Sequence, residues 1–316
     1  MKIVVLDKAT LGEDISLNEL MALGDVDVYE SSTYEEAKVR CKNADAIVLN
    51  KVKITDEIIS SSSVLKIICV TATGYDNIDI EAAKKHNVSV CNVPGYSTDS
   101  VTLFTAATVL SLVARLREYN NYVIDGSYTA SGVANRLSPV YHEISSMTWG
   151  IIGYGNIGKA VGKVAEALGA KLIVHKRTPS RDVECVSLEE LCRRSDIITV
   201  HCPLNDDTRG MINSQTISLM KNNVIIVNEA RGAVVNSRDI ADAIINGKIG
   251  GFGTDVYDLE PLAENSPLQE IKALDNVLLT PHAAWGAYES RARCISIVAD
   301  NITKFIEGKI QNRVDI

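Results

Sequence analysis

Three apolar runs in this chain end in polar residues of types that could do acid–base and anion chemistry. In VNEARG, Arg231 follows the run Val224–Val227. In GTDVYDLEP, Asp255 and then Glu260 follow a strand led by glycines, and in LLTPHAAW, His282 follows Val277–Leu279. An arginine can clamp a carboxylate in a two-point fork and polarise a neighbouring carbonyl. A histidine, with an unperturbed pKa of ~6.5, can pass a proton to an oxygen as charge develops on it. A carboxylate on the other ring nitrogen would orient the ring and favour its charged form. Singly, each has an ordinary reading: an exposed loop arginine, a solvated carboxylate, a capping histidine. Together, at the carboxyl edge of one sheet, they make a coherent site.

The element that must organise that sheet is the stretch from Trp149 to Arg177. Its short apolar run, Gly150 to Ile152, reads as the end of a buried strand. Gly153, Gly155 and Gly158 follow in GxGxxG spacing, with Asn156 and Ile157 opening a helix. Ile157, Val161, Val164, Ala165 and Leu168 recur at helical period, and Gly169 stands where the helix should stop. A second apolar run, Lys171 to Val174, closes a βαβ unit. The glycines allow the tight turn, the approach of a pyrophosphate, and close helix–strand packing. The phosphates would sit on free N–H groups at the helix N-terminus. A lone GxGxxG is weak, but between two strands it points to a dinucleotide site. The acidic ribose-binding residue expected at the end of the second strand is missing. His175, Lys176, Arg177 and Thr178 stand there, and no carboxylate follows until Asp182. Two cations and a hydroxyl suit a 2′-phosphate, so NADP(H) is favoured over NAD(H).

The rest of the chain fits around this unit. Its 316 residues are enough for two domains. The net charge of −8, with no basic stripe, argues against nucleic acid as the main partner. Apolar runs are strand-sized, so no membrane span is expected, and MKIVVLDKA reads as a first strand rather than a signal peptide. Seven cysteines without a CxxC pair fit a reduced, cytoplasmic setting. Residues 1–98 alternate strands near Ile3–Leu6, Val26–Tyr29, Ala46–Leu49, Leu65–Val70 and Ser89–Val93 with helices. Capping boxes are expected at Ser16 with Glu19, at Thr33 with Glu36 and at Ser187 in SLEE, and Asp79 should cap the helix IEAAKKH. The loop TATGYDNID, with Ala72, Thr73, Gly74 and Tyr75, lies at a strand's carboxyl end and is a candidate substrate contact or an ordinary turn. A long helix from Thr98 or Asp99 should bury Val101, Thr105, Thr108, Val109, Leu112 and Leu116. Residues 121–148 read as an arm without regular period, and Tyr288–Ile306 as a long amphipathic helix.

Over essentially its whole length the chain resembles the D-isomer-specific 2-hydroxyacid dehydrogenase family. The matching segments are TATGYDNIDIEAA, NVPGYSTDSV, GIIGYGNIGKAVG, HCPLNDDTRGMIN, VNEARGAVV, GTDVYDLEP and TPHAAW. The resemblance implies an α/β fold with two doubly wound parallel-sheet domains. One is a smaller flavodoxin-like substrate domain from 1–98 plus 287–316, and the other a Rossmann nucleotide domain over 99–286, with crossing helices as hinges. It implies Arg231 as carboxylate binder, Glu260 as partner of the acid/base His282, and Asp255 near the nicotinamide. Pro203, Thr208, Glu229, Ala230 and Ala284 complete the expected cofactor contacts. A homodimer through the nucleotide domain is expected. Asn50–Val52, the NVPGYSTDSV loop and Trp285 resemble the glycerate dehydrogenase and hydroxypyruvate reductase branch, so a small 2-keto acid such as hydroxypyruvate or glyoxylate is the expected substrate. No added regulatory domain is expected, since the chain ends soon after the return helix. Phe104 and HEISSMTWG depart from the family's pattern. The competing class is a non-catalytic, nucleotide-sensing corepressor or binding protein on the same fold.

Overall fold

A computed structural model describes residues 1–316. The chain divides into two compact units, Met1–Ser97 with Trp285–Ile316, and Thr98–Ala284.

The first unit carries strands β1 (Lys2–Val5), β2 (Asp25–Val28), β3 (Ala46–Leu49), β4 (Ile67–Val70) and β5 (Ser89–Cys91). They form one parallel sheet in the order β2-β1-β3-β4-β5. Parallel strands need crossovers, and helices α1 (Asn18–Met21), α2 (Tyr34–Arg40), α3 (Asp56–Ser61) and α4 (Ile80–Lys85) supply them. At the centre of the sheet both faces are buried, so β1, β3 and β4 read as nearly continuous apolar runs, whereas the edge strand β2 alternates Asp and Val and is partly exposed. The two-residue period sorts them. Ile3, Val5, Val48, Ile67 and Cys69 join one core, and Val4, Ile47, Leu49, Ile68 and Val70 the other.

The second unit carries β6 (Thr148–Ile152), β7 (Lys171–His175), β8 (Ile197–Val200), β9 (Val224–Asn228), β10 (Ile249–Thr254) and β11 (Val277–Leu279). Their order is β11-β10-β9-β8-β6-β7, all parallel. The chain therefore reverses its direction of winding between β6 and β8, the crevice where open α/β sheets bind nucleotides. An isolated parallel bridge from Val174 to Cys185 extends the sheet beyond β7. The helices are α5 (Thr98–Val113), α6 (Leu116–Ile124), α7 (Ser127–Ser131), α8 (Asn156–Ala167), α9 (Leu188–Arg194), α10 (Ser214–Leu219) and α11 (Ser237–Ile245), while α12 (Tyr288–Ile306) belongs to the first unit. The glycines of β10 have a packing reason. A Cβ at Gly253 would stand 2.4 Å from Cγ2 of Thr108 on α5, so the helix lies against bare backbone. No single helix is long and apolar enough to cross a membrane.

Of the expected capping signals, two form in full. Thr33 and Glu36 form the reciprocal capping box, and Asp79 accepts the Ala82 N–H. The box expected at Ser16 does not form. Ser16 accepts from the Asn18 N–H, and Glu19 accepts the hydroxyl of Ser296 on α12 instead. At Ser187 half of the box is present, because the Glu190 carboxylate pairs with Arg194. The long helix buries Val101, Thr105, Thr108, Val109 and Leu112, but it breaks at Arg115, whose φ is +56°. Leu116 starts the next helix and is exposed. The stretch read as an irregular arm holds the end of α6 and all of α7 before its coil begins. On α8, Val161 and Ala165 are buried as the period requires, whereas Leu168 faces out.

Candidate functional site

The turn after β6 is built as the glycine spacing requires. Gly153 has φ +89°, and a Cβ there would stand 2.6 Å from the Cys202 nitrogen. A Cβ at Gly158 would meet the Gly153 carbonyl oxygen at 2.1 Å, so α8 packs directly on the turn. Gly155 is different: a Cβ there would have nothing within 4 Å. It is the α8 N-cap and exposes the first turn, Asn156 and half-buried Ile157, without covering its N–H groups. That open helix end fits a pyrophosphate.

On one side of this turn, β7 ends at His175, whose Nδ1 lies 3.2 Å from the Val186 carbonyl. Lys176 is half-buried and Arg177 exposed, and neither enters an ion pair. On the other side, the loop after β8 braces itself. The buried Thr208 hydroxyl donates to the Pro203 carbonyl at 2.7 Å, and Asn205 Oδ1 accepts the N–H groups of Asp207 and Thr208. His201, between β8 and this loop, has both ring nitrogens buried without a hydrogen bond. Burial pushes its pKa down to about 3.

The three polar spots lie at the carboxyl ends of β9, β10 and β11, within the second unit. After β9, the buried Asn228 braces the turn from both ends. Its Nδ2 donates to the Arg231 carbonyl at 2.9 Å and its Oδ1 accepts the Ala230 N–H at 3.1 Å. Arg231 is half-buried, in extended backbone, with one guanidinium N–H on the Ala230 carbonyl. Glu229 is buried with neither oxygen paired. Burial, with the Asp255 charge adding to it, pushes its pKa up to about 9.

After β10, Asp255 is fully buried and its carboxylate is committed to the loop after β11. It accepts the Thr280 hydroxyl at 2.7 Å and the N–H groups of Ala283 and Ala284 at 2.8 Å each. Those bonds straddle His282, whose φ of +54° is a left-handed conformation costing roughly 1 kcal/mol that the flanking residues must hold. His282 Nδ1 then meets Glu260 Oε2 at 2.7 Å, and Glu260 Oε1 accepts the Tyr257 N–H at 3.3 Å. The Tyr257 hydroxyl returns to the Thr280 carbonyl at 2.8 Å. His282 Nε2 keeps no protein partner. The structure thus brings Glu260 and His282 into direct contact and seats Arg231 one strand over. Ala284 closes the loop by accepting the Ser100 hydroxyl at 2.6 Å.

Sequence reasoning missed Asn228, Tyr257 and Thr280, which hold the site's backbone. The signal for Asn228 was present, an amide at a strand end two residues before the turn. The aromatic and the threonine carry no distinguishing pattern.

The candidate substrate residues belong to the first unit, after β4. Val93 donates its N–H to the Ala72 carbonyl, the Thr73 hydroxyl donates to the Val93 carbonyl, and Asn92 Nδ2 donates to the Thr73 carbonyl. Gly74 and Tyr75 complete the turn, both half-buried. Nearby, the buried Asp7 carboxylate accepts the N–H groups of Asn50, Lys51 and Val52 and fixes that turn, although burial raises its pKa.

Comparison with known proteins gives the chain's family. Residues 106–284 match the family model described as D-isomer specific 2-hydroxyacid dehydrogenase, NAD binding domain. A hydroxypyruvate reductase of Blautia hydrogenotrophica is 36% identical over 324 residues, covering 100% of both chains. A D-lactate dehydrogenase from Aquifex aeolicus, solved with NAD and lactic acid, superposes with a TM-score of 0.88 at 29% identity, covering 100% of this chain and 99% of that one. An acyclic imino acid reductase, Bsp5, solved with NADPH and D-Arg, gives 0.88 at 28% identity over 99% of this chain and 100% of its own. The chain belongs to the D-isomer specific 2-hydroxyacid dehydrogenases, oxidoreductases that work with a nicotinamide cofactor.

Proposed function

We propose that this protein reduces a small 2-keto acid, hydroxypyruvate or glyoxylate, to the D-2-hydroxy acid, with NADP(H) preferred over NAD(H). The observation that carries the chemistry is the 2.7 Å contact between Glu260 and His282 Nδ1, which leaves Nε2 to face a substrate. Glu260 fixes the ring and its tautomer; His282 gives its Nε2 proton to the substrate oxygen as charge develops there. Arg231 binds the substrate carboxylate in a planar fork. A reduced nicotinamide, when bound, supplies the hydride. The second unit serves as nucleotide domain. The first, with Ala72, Thr73, Gly74 and Tyr75 on its β4 turn, serves as substrate domain. The substrate class follows the Blautia relative's name and the Asn50–Val52 and Trp285 positions.

The cofactor preference rests on Lys176 and Arg177, two cations outside any ion pair where a ribose-binding carboxylate is missing. Pro203, Thr208, Glu229, Ala230, Asp255 and Ala284 line the remaining cofactor contacts in this reading. The seven free cysteines fit a cytoplasmic setting, and the unit's exposed apolar helices fit a homodimer. Purified protein, a panel of 2-keto acids and both reduced nicotinamides, followed by absorbance, test the whole. The kcat/KM ratio for NADPH over NADH should exceed one and fall in the Lys176→Asp, Arg177→Ala double variant. An NADH preference, or a ratio that does not move, counts against the cofactor assignment. Turnover of no 2-keto acid would sink the substrate class.

A further inference from the structure

β5 is the outer strand of the first unit's sheet, so its free edge needs partners. The segment after α12 supplies them by lying antiparallel along it, with a bridge between Cys91 and Arg313. Val314 donates its N–H to the Val90 carbonyl at 2.9 Å, and Asn92 donates its own to the Asn312 carbonyl at 3.1 Å. The Asp315 carboxylate accepts the Val90 N–H at 2.8 Å. One buried amide ties this strap to the helix before it. Asn301 is 1% exposed, on the face of α12 that also buries Val298 and Ile302. Its Oδ1 accepts from Asn312 Nδ2 at 2.9 Å and from Gln311 Nε2 at 3.2 Å, and its Nδ2 donates to the Asn92 carbonyl at 3.0 Å.

An amide on an apolar helix face is costly unless paired, and pairing the strand edge does not by itself require one. What Asn301 adds is a grip on Asn92. The strap holds the Asn92 N–H and α12 holds its carbonyl, so its side chain is aimed at the turn after β4. There Asn92 Nδ2 donates to the Thr73 carbonyl at 2.8 Å. The next residue, Val93, donates its N–H to the Ala72 carbonyl at 2.9 Å and accepts the Thr73 hydroxyl at 2.9 Å. Hydrogen bonds therefore run from α12 and the strap, through Asn92, to Ala72 and Thr73.

We propose that Asn301 is a positioning residue for the substrate: through Asn92 it sets the backbone of the turn at 72–75, and the strap after α12 holds Asn301 to that task. The proposal rests on the functional reading above, in which this turn meets the keto acid. A turn fixed in advance loses less freedom when a ligand arrives, so the effect falls on substrate affinity. Nucleotide binding and the proton of His282 draw on residues of the second unit and are spared.

The test is steady-state kinetics of the full chain with hydroxypyruvate and with glyoxylate at saturating NADPH, beside nucleotide affinity by fluorescence and Tm. Asn301→Leu keeps the volume and removes all three hydrogen bonds. It should raise the keto acid KM roughly tenfold, with kcat and nucleotide affinity nearly unchanged. Asn312 has φ +49°, so Asn312→Gly keeps the backbone and deletes only the side chain that reaches Asn301. This milder variant, useful if Asn301→Leu folds poorly, should raise KM roughly threefold. Tyr75→Ala, on the turn itself, is the control and should raise KM as well. A drop in Tm without a rise in KM in the Asn301 and Asn312 variants, while Tyr75→Ala raises it, would overturn the proposal alone. So would a nucleotide affinity that falls as far as KM rises. A KM that none of the three variants moves would remove the turn from the functional reading, and this assignment with it.

Discussion

His282 sits in a left-handed backbone conformation, with Nδ1 spent on Glu260 and Nε2 free. That arrangement makes its contribution separable from nucleotide binding. His282→Ala should lower kcat by about a hundred- to ten-thousand-fold, the usual worth of a general acid, with nucleotide affinity nearly unchanged. Glu260→Gln keeps a side chain of the same shape and should leave more activity than His282→Ala. A His282→Ala enzyme with near-normal turnover would remove it from the mechanism. Arg231→Lys keeps the charge but loses the fork, so the keto acid KM should rise while fluorescence quenching by nucleotide barely changes. A loss concentrated in nucleotide affinity would give Arg231 another role. His201 makes a stability prediction. Its folded pKa, about 3, lies below the ~6.5 of an unfolded histidine. Its contribution is therefore fully present above ~6.5 and is lost as pH falls from there toward 3, by at most about 1.4 kcal/mol per pH unit. His201→Leu should flatten the fall of Tm over that window; an unchanged slope would place the sensitivity elsewhere.

Strand ends and loops show how those side chains are held. The loop after β11 depends on Asp255, whose carboxylate accepts three hydrogen bonds around His282. Asp255→Asn replaces one acceptor oxygen with an NH2 group that faces donors, which should cost about 1–3 kcal/mol. Tm should drop, and the rate should fall with it because the ring loses its mount. A variant with wild-type Tm and rate would show that the loop holds itself. The elements of this site were legible because their signals are local: apolar runs for strands, glycine spacing for the turn after β6, Thr33 with Glu36 for α2. What escaped depends on partners distant in sequence or on geometry without a signature. Glu19 abandons Ser16 for Ser296 across 277 positions, and the break at Arg115 occurs without glycine or proline. Arg231, Glu260 and His282 could be named from type and position at strand ends. That Glu260 rather than Asp255 would touch His282 came from family resemblance, since spacing alone favours neither.

The second unit also shows an apolar surface that its own sheet does not cover. Between α6 and the coil after α7, Leu116, Val123, Ile124, Leu137, Val140 and Tyr141 are each more than half exposed, with Leu137 at 80%. The helix ahead of them, α5, buries Val101, Val109 and Leu112 within the unit but leaves Leu103 and Leu110 exposed. Monomeric proteins seldom leave contiguous apolar patches beyond a few hundred Å² in water. A homodimer interface of the usual ~1,600 Å² would give these side chains a partner. A two-fold contact presents the same patch twice, so one substitution places two charges in it. Ile124→Glu and Leu137→Glu should therefore shift the protein from dimer to monomer at micromolar concentration by light scattering. Neither position contributes to Asp255, Glu260 or His282, so nucleotide binding measured by fluorescence should survive. A double variant that scatters as a dimer, or a wild type that scatters as a monomer, would show that this surface does not carry the assembly.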